Sequence, residues 1–213
     1  MGRRKLLIDL AGKPLVSWSI DTLLTIPNLD ELVLVVHPQD RGRCGEIVGD
    51  LSDRVEIVTG GRERQDSVFE GLKSLGRREG IVIVHDGARP FVSQDLIRSV
   101  VERARAGVGA ITAIPVRDTV KRIINGKVME TLPRKLVWSV QTPQAFPGEM
   151  LFKAYESAMR DGFYSTDDAA LCERMGYPVE VVTGNHENIK ITTPDDLLYA
   201  EWIVHSRRLH VGA

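Results

Sequence analysis

Short apolar runs alternate along the chain with longer stretches in which apolar residues recur every three or four positions. The runs have the length and the β-branched content of buried strands, and they cover 32–37, 55–58, 81–84, 109–116 and 179–182. The stretches between the runs predict amphipathic helices, for example one that begins at Pro14 and buries Leu15, Trp18 and Leu23. Repeated alternation of strand and helix predicts an α/β fold with a mostly parallel sheet.

The run at 81–84 is Ile-Val-Ile-Val, which is typical of a strand buried on both faces at the centre of a sheet. Asp86 and Arg89 follow it. Because ligands of open α/β sheets collect beyond the carboxyl ends of central strands, these two side chains are predicted at the floor of a site. A carboxylate there can orient a metal ion or a sugar hydroxyl, and a guanidinium can hold phosphate. Taken alone, the residues fit equally well a strand end with a solvated Asp–Arg pair.

A glycine pair, Gly60 and Gly61, separates the strand at 55–58 from the helix that follows. Free backbone N–H groups at such a helix start favour polar or anionic ligand atoms. The segment is not a GxGxxG fingerprint, so in isolation an ordinary glycine turn is the favoured interpretation.

Two later helix starts are marked by their caps. Thr166 is predicted as the N-cap of one helix, with Asp167 and Asp168 in its first turn. Thr193 is predicted as the N-cap of the terminal helix, with Pro194 at its first position.

The helix at Pro14 leads directly into the strand 32–37. In a parallel sheet such a helix connects two strands, because parallel strands need a crossover connection. An earlier strand is therefore implied, and the given sequence lacks it.

The alternation breaks at 120–130, where two short runs flank Asn125 and Gly126, the strongest short-range signal for a hairpin. An isolated two-stranded ribbon is marginally stable, so it should pack on something, and a second subunit is a reasonable candidate. The alternative is a hairpin folded back on its own domain. After the hairpin, a further strand is predicted at 137–141, ending at Thr142 and Pro143. We expect one domain over 1–213, with 116–135 as a dimerisation arm.

The composition is that of an ordinary globular protein. The 213 residues are 43% hydrophobic and 27% charged, with a formal net charge of −1, which favours neither a nucleic-acid nor a membrane partner. The longest apolar runs are too short to cross a bilayer, so we expect a cytoplasmic protein. Cys44 and Cys172 are predicted to be reduced, and the five histidines show no metal-ligand spacing.

Six short segments occur in an order known from one enzyme family. They are Gly-Gly-Arg-Glu-Arg-Gln-Asp-Ser-Val at 60–68, Val-His-Asp-Gly-Ala-Arg-Pro at 84–90, Pro-Val-Arg-Asp-Thr-Val-Lys at 115–121, Thr-Pro-Gln at 142–144, Thr-Asp-Asp at 166–168 and Asn-Ile-Lys-Ile-Thr at 188–192. With them the chain from Lys5 to about Val204 resembles the 2-C-methyl-D-erythritol 4-phosphate cytidylyltransferases of the non-mevalonate isoprenoid pathway. The resemblance implies a three-layer Rossmann-like nucleotidyltransferase fold.

The resemblance also implies a reaction. CTP, carrying Mg²⁺, and a polyol phosphate would give a CDP-alcohol and pyrophosphate by in-line displacement, without a covalent intermediate. Catalytic Lys5 and Lys190 would contact the phosphates around the α-phosphorus, where compact ammonium groups offset growing negative charge. Asp86 would lie by the ribose and the metal-bound phosphates. The cytosine and ribose would contact Gly61, Arg62 and Ser67.

The acceptor side is assigned by the same resemblance. Arg89 and Thr119 are expected near the acceptor alcohol, and Thr142 and Thr166 are expected to line the site. Arg134 is expected to reach the acceptor phosphate of the neighbouring subunit, which the hairpin arm embraces. The implied partners are CTP, a polyol phosphate and a second copy of the chain.

One part of the family pattern lies outside the sequence. The family begins with a strand and an Ala-Ala-Gly-x-Gly-x-Arg-Met loop that cradles the triphosphate, and this chain starts at Met1, after that point. A polypeptide shortened there is expected to lose a central strand and its phosphate loop, which would make a non-catalytic nucleotide-binding protein the alternative. Within the enzyme class, the alternative is a cytidylyltransferase for another polyol phosphate, such as ribitol 5-phosphate.

Overall fold

The computed structural model describes the backbone of residues 5–211 and the side chains of residues 6–209. The first half contains β1 (Asp9–Leu10), β2 (Lys13–Pro14), α1 (Leu15–Leu23), β3 (Val33–Val36), α2 (Arg41–Val48), β4 (Glu56–Thr59), α3 (Arg64–Ser74) and β5 (Ile81–Val84). The second half contains α4 (Gln94–Arg105), β6 (Gly109–Pro115), β7 (Lys121–Ile124), β8 (Lys127–Thr131), β9 (Trp138–Pro147), α5 (Gly148–Arg160), α6 (Ala169–Arg174), β10 (Val179–Thr183) and α7 (Pro194–Val211). Each of the five apolar runs forms a strand, as predicted.

The main sheet has four strands in the order β10–β6–β9–β5. β10 pairs with β6 in parallel, whereas β9 is antiparallel to both β6 and β5. β5, β6 and β10 therefore share one direction, but the expectation of a mostly parallel sheet is wrong for the pairings of β9, and the sheet is mixed. The reason is the connection, because β6 and β9 are joined through the β7–β8 hairpin and not through a crossover helix.

Strand β9 is longer than the strand predicted at 137–141, because it continues through Pro143. Its pairing with β6 shifts register between Ile111 and Thr112, and this irregularity leaves Thr142 and Pro143 without a paired residue on β6. A proline, which has no N–H to donate, is tolerated within a sheet at such a place. Thr142 and Pro143, which the sequence predicts as the end of the strand, therefore form an irregularity within it.

Helices cover both faces of the main sheet and give the fold its three layers. Along β5, Ile81 and Ile83 pack on the apolar cluster that includes Val100 of α4. Val82 and Val84 pack on the cluster formed by α5 and α6. Since successive side chains of a strand point to opposite faces, the unbroken apolar sequence of β5 is explained by contacts on both sides.

A cavity of about 740 Å³ is lined by residues of both β3 and β5. β3 pairs with β4, and β5 pairs with β9, so within the described chain the second edge of each strand has no paired neighbour. Arg64, Ser67 and Asp86 also line this cavity. The additional strand implied by the helix-to-strand step at α1 and β3 stays a prediction.

The predicted hairpin is confirmed. β7 and β8 pair antiparallel around Asn125 and Gly126, whose φ angles are both positive, at 50° and 75°. A tight hairpin turn needs positive φ at these positions, which asparagine and glycine tolerate. The cross-strand pair Ile123 and Val128 is 59% and 60% exposed. The hairpin therefore presents apolar side chains to solvent instead of packing them on the rest of the chain.

Of the two predicted helix caps, one is confirmed and one is wrong. At the start of α7, Thr193 Oγ1 accepts a hydrogen bond from the N–H of Asp196, whose carboxylate accepts one from the N–H of Thr193. α6 begins later than expected, so Thr166 lies outside it. Instead, the carboxylate of Asp167 accepts a hydrogen bond from the N–H of Ala170. Asp167 is closer to the helix start than Thr166, and its negative charge interacts favourably with the free N–H groups there.

Three observations concern the cysteines, the helices and the side chains that could bind a metal. Cys44 and Cys172 are buried free thiols. No helix in the described part of the chain is both long and apolar enough to cross a membrane. Among the same residues, no group of three acidic, histidine or cysteine side chains is placed to hold a metal ion.

Candidate active site

Asp86, just beyond the end of β5, is surrounded by three cationic side chains. Lys190 Nζ lies 2.8 Å from Asp86 Oδ2, Arg64 Nε donates to Oδ1 at 3.2 Å, and Arg89 Nε lies 3.8 Å from Oδ2. Burial by itself would raise the pKa of Asp86, but Arg64 and Lys190 outweigh it and lower the pKa to about 2. Asp86 is therefore a carboxylate at any physiological pH.

Backbone hydrogen bonds bring Lys190 to this place. The turn after β5 is closed by the N–H of Arg89, which donates to the carbonyl of Asp86 at 2.9 Å. The N–H of Ile191 donates to the carbonyl of Ala88 at 2.9 Å. Because Ile191 is fully buried, this bond ties the segment before α7 to the turn and leaves Lys190 beside the carboxylate. The Lys190 side chain keeps 39% of its surface exposed.

His85 and Thr142 form hydrogen bonds with the backbone of the turn that carries Asp86 and Arg89. Burial lowers the pKa of His85 to about 4, so the imidazole is neutral at pH 7. Its Nε2 faces the carbonyl of Arg89 at 3.1 Å and must carry the proton, because a carbonyl only accepts. Nδ1 then accepts from Thr142 Oγ1 at 3.2 Å, and that oxygen accepts from the N–H of Asp86 at 3.0 Å. Buried Thr142 thus fixes the backbone of Asp86.

Arg64, in the first turn of α3, connects Asp86 to a second carboxylate. Its two terminal nitrogens donate to Asp168 Oδ1 at 3.1 Å and Oδ2 at 2.7 Å, in the forked geometry that suits a carboxylate. Asp168 is fully buried and also accepts a hydrogen bond from Tyr155 Oη. Burial by itself would lower the pKa of Arg64, but Asp168 and Asp86 raise it above its ordinary value. Arg64 is therefore always a cation.

Arg89 is nearly buried, and its contacts run to the segment that carries Lys190. Its terminal nitrogen donates to the carbonyl of Asn188 at 2.8 Å. Asn188 in turn donates from Nδ2 to the carbonyl of Thr142 at 2.9 Å. Burial lowers the pKa of Arg89, which Asp86 partly offsets. In the described chain, the buried atoms Arg89 Nε and Asn188 Oδ1 have no hydrogen-bond partner within the protein.

The glycine pair packs tightly against the start of α3. A Cβ atom on Gly61 would lie 2.3 Å from the Cβ of Asp66, and one on Gly60 would lie 2.6 Å from Ser67 Oγ. Only glycine allows this approach, which explains both glycines sterically. Ser67 lines the same cavity as Asp86, whereas the Arg62 side chain is 93% exposed.

Other residues expected in the site lie apart from this cluster. Thr119, Arg134 and Thr166 are exposed, and Arg134 donates to the carbonyl of Arg117 at 2.8 Å. Within the described residues, no hydrogen bond or ion pair joins any of the three to Asp86. The side chain of Lys5 lies outside the described residues.

The cluster can bind an anion. Three cationic side chains face two carboxylates, which leaves a surplus of one positive charge next to a cavity. Asp30, Glu31 and Glu79 also line the cavity, but among the described side chains Asp86 is the cavity-lining carboxylate that contacts these cations, so the protein offers Mg²⁺ few ligands there. Mg²⁺ fits such a site when phosphate oxygens supply most of its ligands, as is usual for this ion.

The sequence prediction brought Asp86, Arg89 and Lys190 together correctly, but it missed the side chains that hold them. These are Arg64, His85, Tyr155, Asp168 and Asn188. All of these except Tyr155 lie in short motifs quoted for the family resemblance, and this was the signal that could have singled them out.

Solved structures of similar fold share one activity in their names. The chain superposes on 4-diphosphocytidyl-2C-methyl-D-erythritol synthase from Anaerococcus prevotii with a TM-score of 0.86 and 34% identity, covering 93% of this chain and 88% of that one. For 2-C-methyl-D-erythritol 4-phosphate cytidylyltransferase from Thermus thermophilus the TM-score is 0.83 and the identity 31%, covering 96% and 95%. Fold and site together define a nucleotidyltransferase.

The family follows from the sequence comparison. The model of the 2-C-methyl-D-erythritol 4-phosphate cytidylyltransferase family matches residues 1–206, and the chain belongs to this family. The relative from Halalkalibacterium halodurans is 43% identical over 205 residues, which are 95% of this chain and 90% of that protein. The relative from Syntrophus aciditrophicus is 45% identical over 194 residues, or 89% and 83%. The predicted family, fold class and enzyme class are confirmed.

Proposed function

We propose that the cluster around Asp86 is the phosphate-binding centre of a cytidylyltransferase that acts on CTP and 2-C-methyl-D-erythritol 4-phosphate. The observation that carries this proposal is the convergence of Arg64, Arg89 and Lys190 on one carboxylate beside a cavity. Such a surplus of positive charge suits a triphosphate. Membership of the family supplies the identity of the reaction.

The reaction is a direct displacement. A phosphate oxygen of the acceptor attacks the α-phosphorus of CTP, a new P–O bond forms, and the bond from the α-phosphorus to the bridging oxygen breaks. Pyrophosphate leaves with that electron pair, and no proton needs to be transferred in this step. Lys190, which is partly exposed on a flexible stem, would follow the oxygen on which negative charge grows. Lys5 would serve the same phosphates.

Mg²⁺ would enter with the triphosphate, and Asp86 is the residue that would hold it on the protein side. When bound, the ion neutralises phosphate charge. Lys190 already contacts Asp86 Oδ2, and its ammonium group would turn to the phosphates when the triphosphate binds.

The nucleoside and the acceptor would lie on either side of this centre. Gly61 and Ser67 would contact cytosine and ribose, since they form the tight loop next to the cavity, and the exposed Arg62 would close over them. The acceptor would contact Arg89, and Thr142 and Thr166 would line its site, Thr142 through the backbone of Asp86. Thr119 and Arg134 would contact it from the arm.

The arm, residues 116–135, would pair two copies of the chain. Its exposed apolar pair Ile123 and Val128 gives a partner surface to bury. Arg134 at the base of the arm would then reach the acceptor phosphate of the neighbouring subunit. The cytoplasmic location stays a prediction.

A turnover assay tests the function. Pyrophosphate release is measured with CTP, Mg²⁺ and either 2-C-methyl-D-erythritol 4-phosphate or ribitol 5-phosphate. We expect turnover with the first acceptor and a kcat/KM at least about tenfold lower with the second, because a site that hydrogen-bonds one polyol leaves polar groups unpaired with another. A preference for ribitol 5-phosphate would change the acceptor, and CTP binding in calorimetry without any turnover would make the protein a nucleotide-binding protein.

Arg134→Ala tests the role of the arm in acceptor binding. The KM for the acceptor phosphate should rise about tenfold or more, because a charged hydrogen bond to it is lost, while the KM for CTP stays nearly constant. Lys135→Ala, also exposed in the same turn, is the matched control. Equal increases in both KM values would remove Arg134 from the acceptor site.

Ile123→Lys tests the dimer. Sedimentation of the native chain should give the mass of two copies, and the variant should shift toward one, because a charge replaces apolar surface at the interface. Lys127→Ala on the same hairpin should stay dimeric. A native chain that sediments as one copy, or a variant that remains fully dimeric, would refute the role of the arm.

A further inference from the structure

Arg64 occupies an unusual position between two carboxylates. Its Nε contacts Asp86, which lines the cavity, and its two terminal nitrogens grip Asp168, which has no exposed surface. The two carboxylates belong to different parts of the fold, one after β5 and the other at the start of α6. A single planar group thus links α3 to both.

The far end of this connection is rigid. Asp168 accepts a hydrogen bond from Tyr155 of α5, whose ring is stacked on Phe69 of α3 with 5.9 Å between ring centroids. Tyr155 is 1% exposed. The carboxylate that holds Arg64 is therefore itself fixed within a packed core, and the guanidinium has little freedom to turn.

The near end sets the orientation of Asp86. Arg64 occupies Oδ1, so that Oδ2 is the oxygen presented to Lys190 and Arg89. Without Arg64, the carboxylate plane could rotate about the Cβ–Cγ bond, and neither oxygen would be held toward Lys190 and Arg89. A guanidinium fork can serve two carboxylates at once, and a lysine ammonium at the same place has no such geometry.

We propose that Arg64 is a positioning residue for the reaction, which acts by fixing the Asp86 carboxylate from the buried anchor formed by Asp168 and Tyr155. Arg64 itself does not need to touch a substrate. This inference rests on the proposed function of the Asp86 cluster, because it concerns the side chains that hold that cluster in place.

The test is a double-mutant cycle between Arg64→Lys and Asp86→Asn, measured as kcat and KM for cytidylyl transfer. Arg64→Lys keeps the charge and loses the fork. We expect kcat to fall about a hundredfold, as for a misplaced catalytic group, with the KM for the acceptor nearly unchanged. In the Asp86→Asn background the same substitution should have almost no further effect on kcat. Arg103→Lys, in an exposed ion pair with Glu180, is the control and should leave kcat at the native value.

The outcomes separate the possible roles. An equal loss of kcat in both backgrounds, or no loss in the native one, would overturn the inference, because Arg64 would then act independently of Asp86 or not at all. If urea unfolding shows that Arg64→Lys does not fold, Tyr155→Phe takes its place. It should lower kcat about fivefold, the equivalent of one hydrogen bond, and only while Asp86 is present. A native kcat for Tyr155→Phe would then overturn the inference.

A failure of the proposed function is seen separately. If the native chain releases no pyrophosphate, the transferase assignment fails, and the same cycle is measured as the affinity for CTP with Mg²⁺ by calorimetry. Positioning by Arg64 then predicts weaker binding for Arg64→Lys in the native background and no further weakening with Asp86→Asn. Equal weakening in both backgrounds would overturn it.

Discussion

Replacing Asp86 by asparagine removes the one carboxylate that the three cations of the site share beside the cavity. The side chain is 15% exposed, so solvent screens its interactions with Arg64 and Lys190 only weakly. Asparagine has nearly the same shape but no charge. The variant therefore tests the electrostatic contribution of the carboxylate and changes the packing very little.

The magnitude follows from the pKa of Asp86. It is about 2 in the folded protein against an ordinary value of 3.8. At about 1.4 kcal/mol per pKa unit, this difference corresponds to about 2 kcal/mol of stability at pH 7. Because the folded-state pKa is lowered, the contribution is fully present above the ordinary pKa of 3.8 and is lost as the pH falls through the folded-state pKa of about 2. At about pH 3, roughly half of it should remain.

The assay is urea unfolding of the native chain and Asp86→Asn at about pH 7, 5, 4 and 3, a series that spans the window in which the carboxylate titrates. The variant should be less stable by about 2 kcal/mol at pH 7, and this difference should shrink to about 1 kcal/mol at pH 3. Asp50→Asn, at an exposed position, should stay within about 0.5 kcal/mol throughout. A difference that does not change with pH, or a variant as stable as the native chain at pH 7, would refute the electrostatic reasoning.

Two further substitutions test the proposed catalytic role of Lys190 and a helix cap. Lys190→Ala should lower kcat about a hundredfold, because a cation that stabilises growing negative charge is lost. The circular dichroism spectrum should stay native, since the side chain is partly exposed. Unchanged turnover at saturating CTP would remove Lys190 from the mechanism. Asp196→Ala should lower the free energy of unfolding by about 1 kcal/mol, because the carboxylate accepts hydrogen bonds from the backbone N–H groups of Thr192 and Thr193, just before α7. Asp195→Ala is its control in urea unfolding, and equal losses would contradict the capping role.

Much of the fold was predictable because strands and helices have local signatures. The apolar run of β5 and the Asn125–Gly126 turn each carry their structure in a few consecutive residues. The direction of β9 was not predictable in this way. It depends on the chain returning through the hairpin to pair with β6. Pro143 has the sequence signature of a strand end, although it lies at an irregularity within β9.

In the candidate site, too, some residues could be predicted from local sequence and others depend on long-range packing. Asp86, Arg89 and Lys190 follow strand ends or precede a helix, where topology brings functional groups together. Arg64 sits in a run of charged residues that is typical of an exposed helix start, and its partner Asp168 is 104 positions away. No periodicity distinguishes a carboxylate that will be fully buried from one that caps a helix in solvent. That difference arises only when α3, α5 and α6 pack together.

The pairing of charges explains why the cluster can exist before a nucleotide arrives. Cations that lie close together repel one another, and a buried cation without a counterion is costly. Asp86 and Asp168 supply two counterions of different kinds. Asp168 is sealed in the core and holds Arg64 permanently, whereas Asp86 faces the cavity and shares an oxygen with the partly exposed Lys190. We therefore expect a triphosphate to replace the Lys190–Asp86 pair without disturbing the Arg64–Asp168 pair, so that Lys190 changes its partner while Asp168 keeps Arg64 in place.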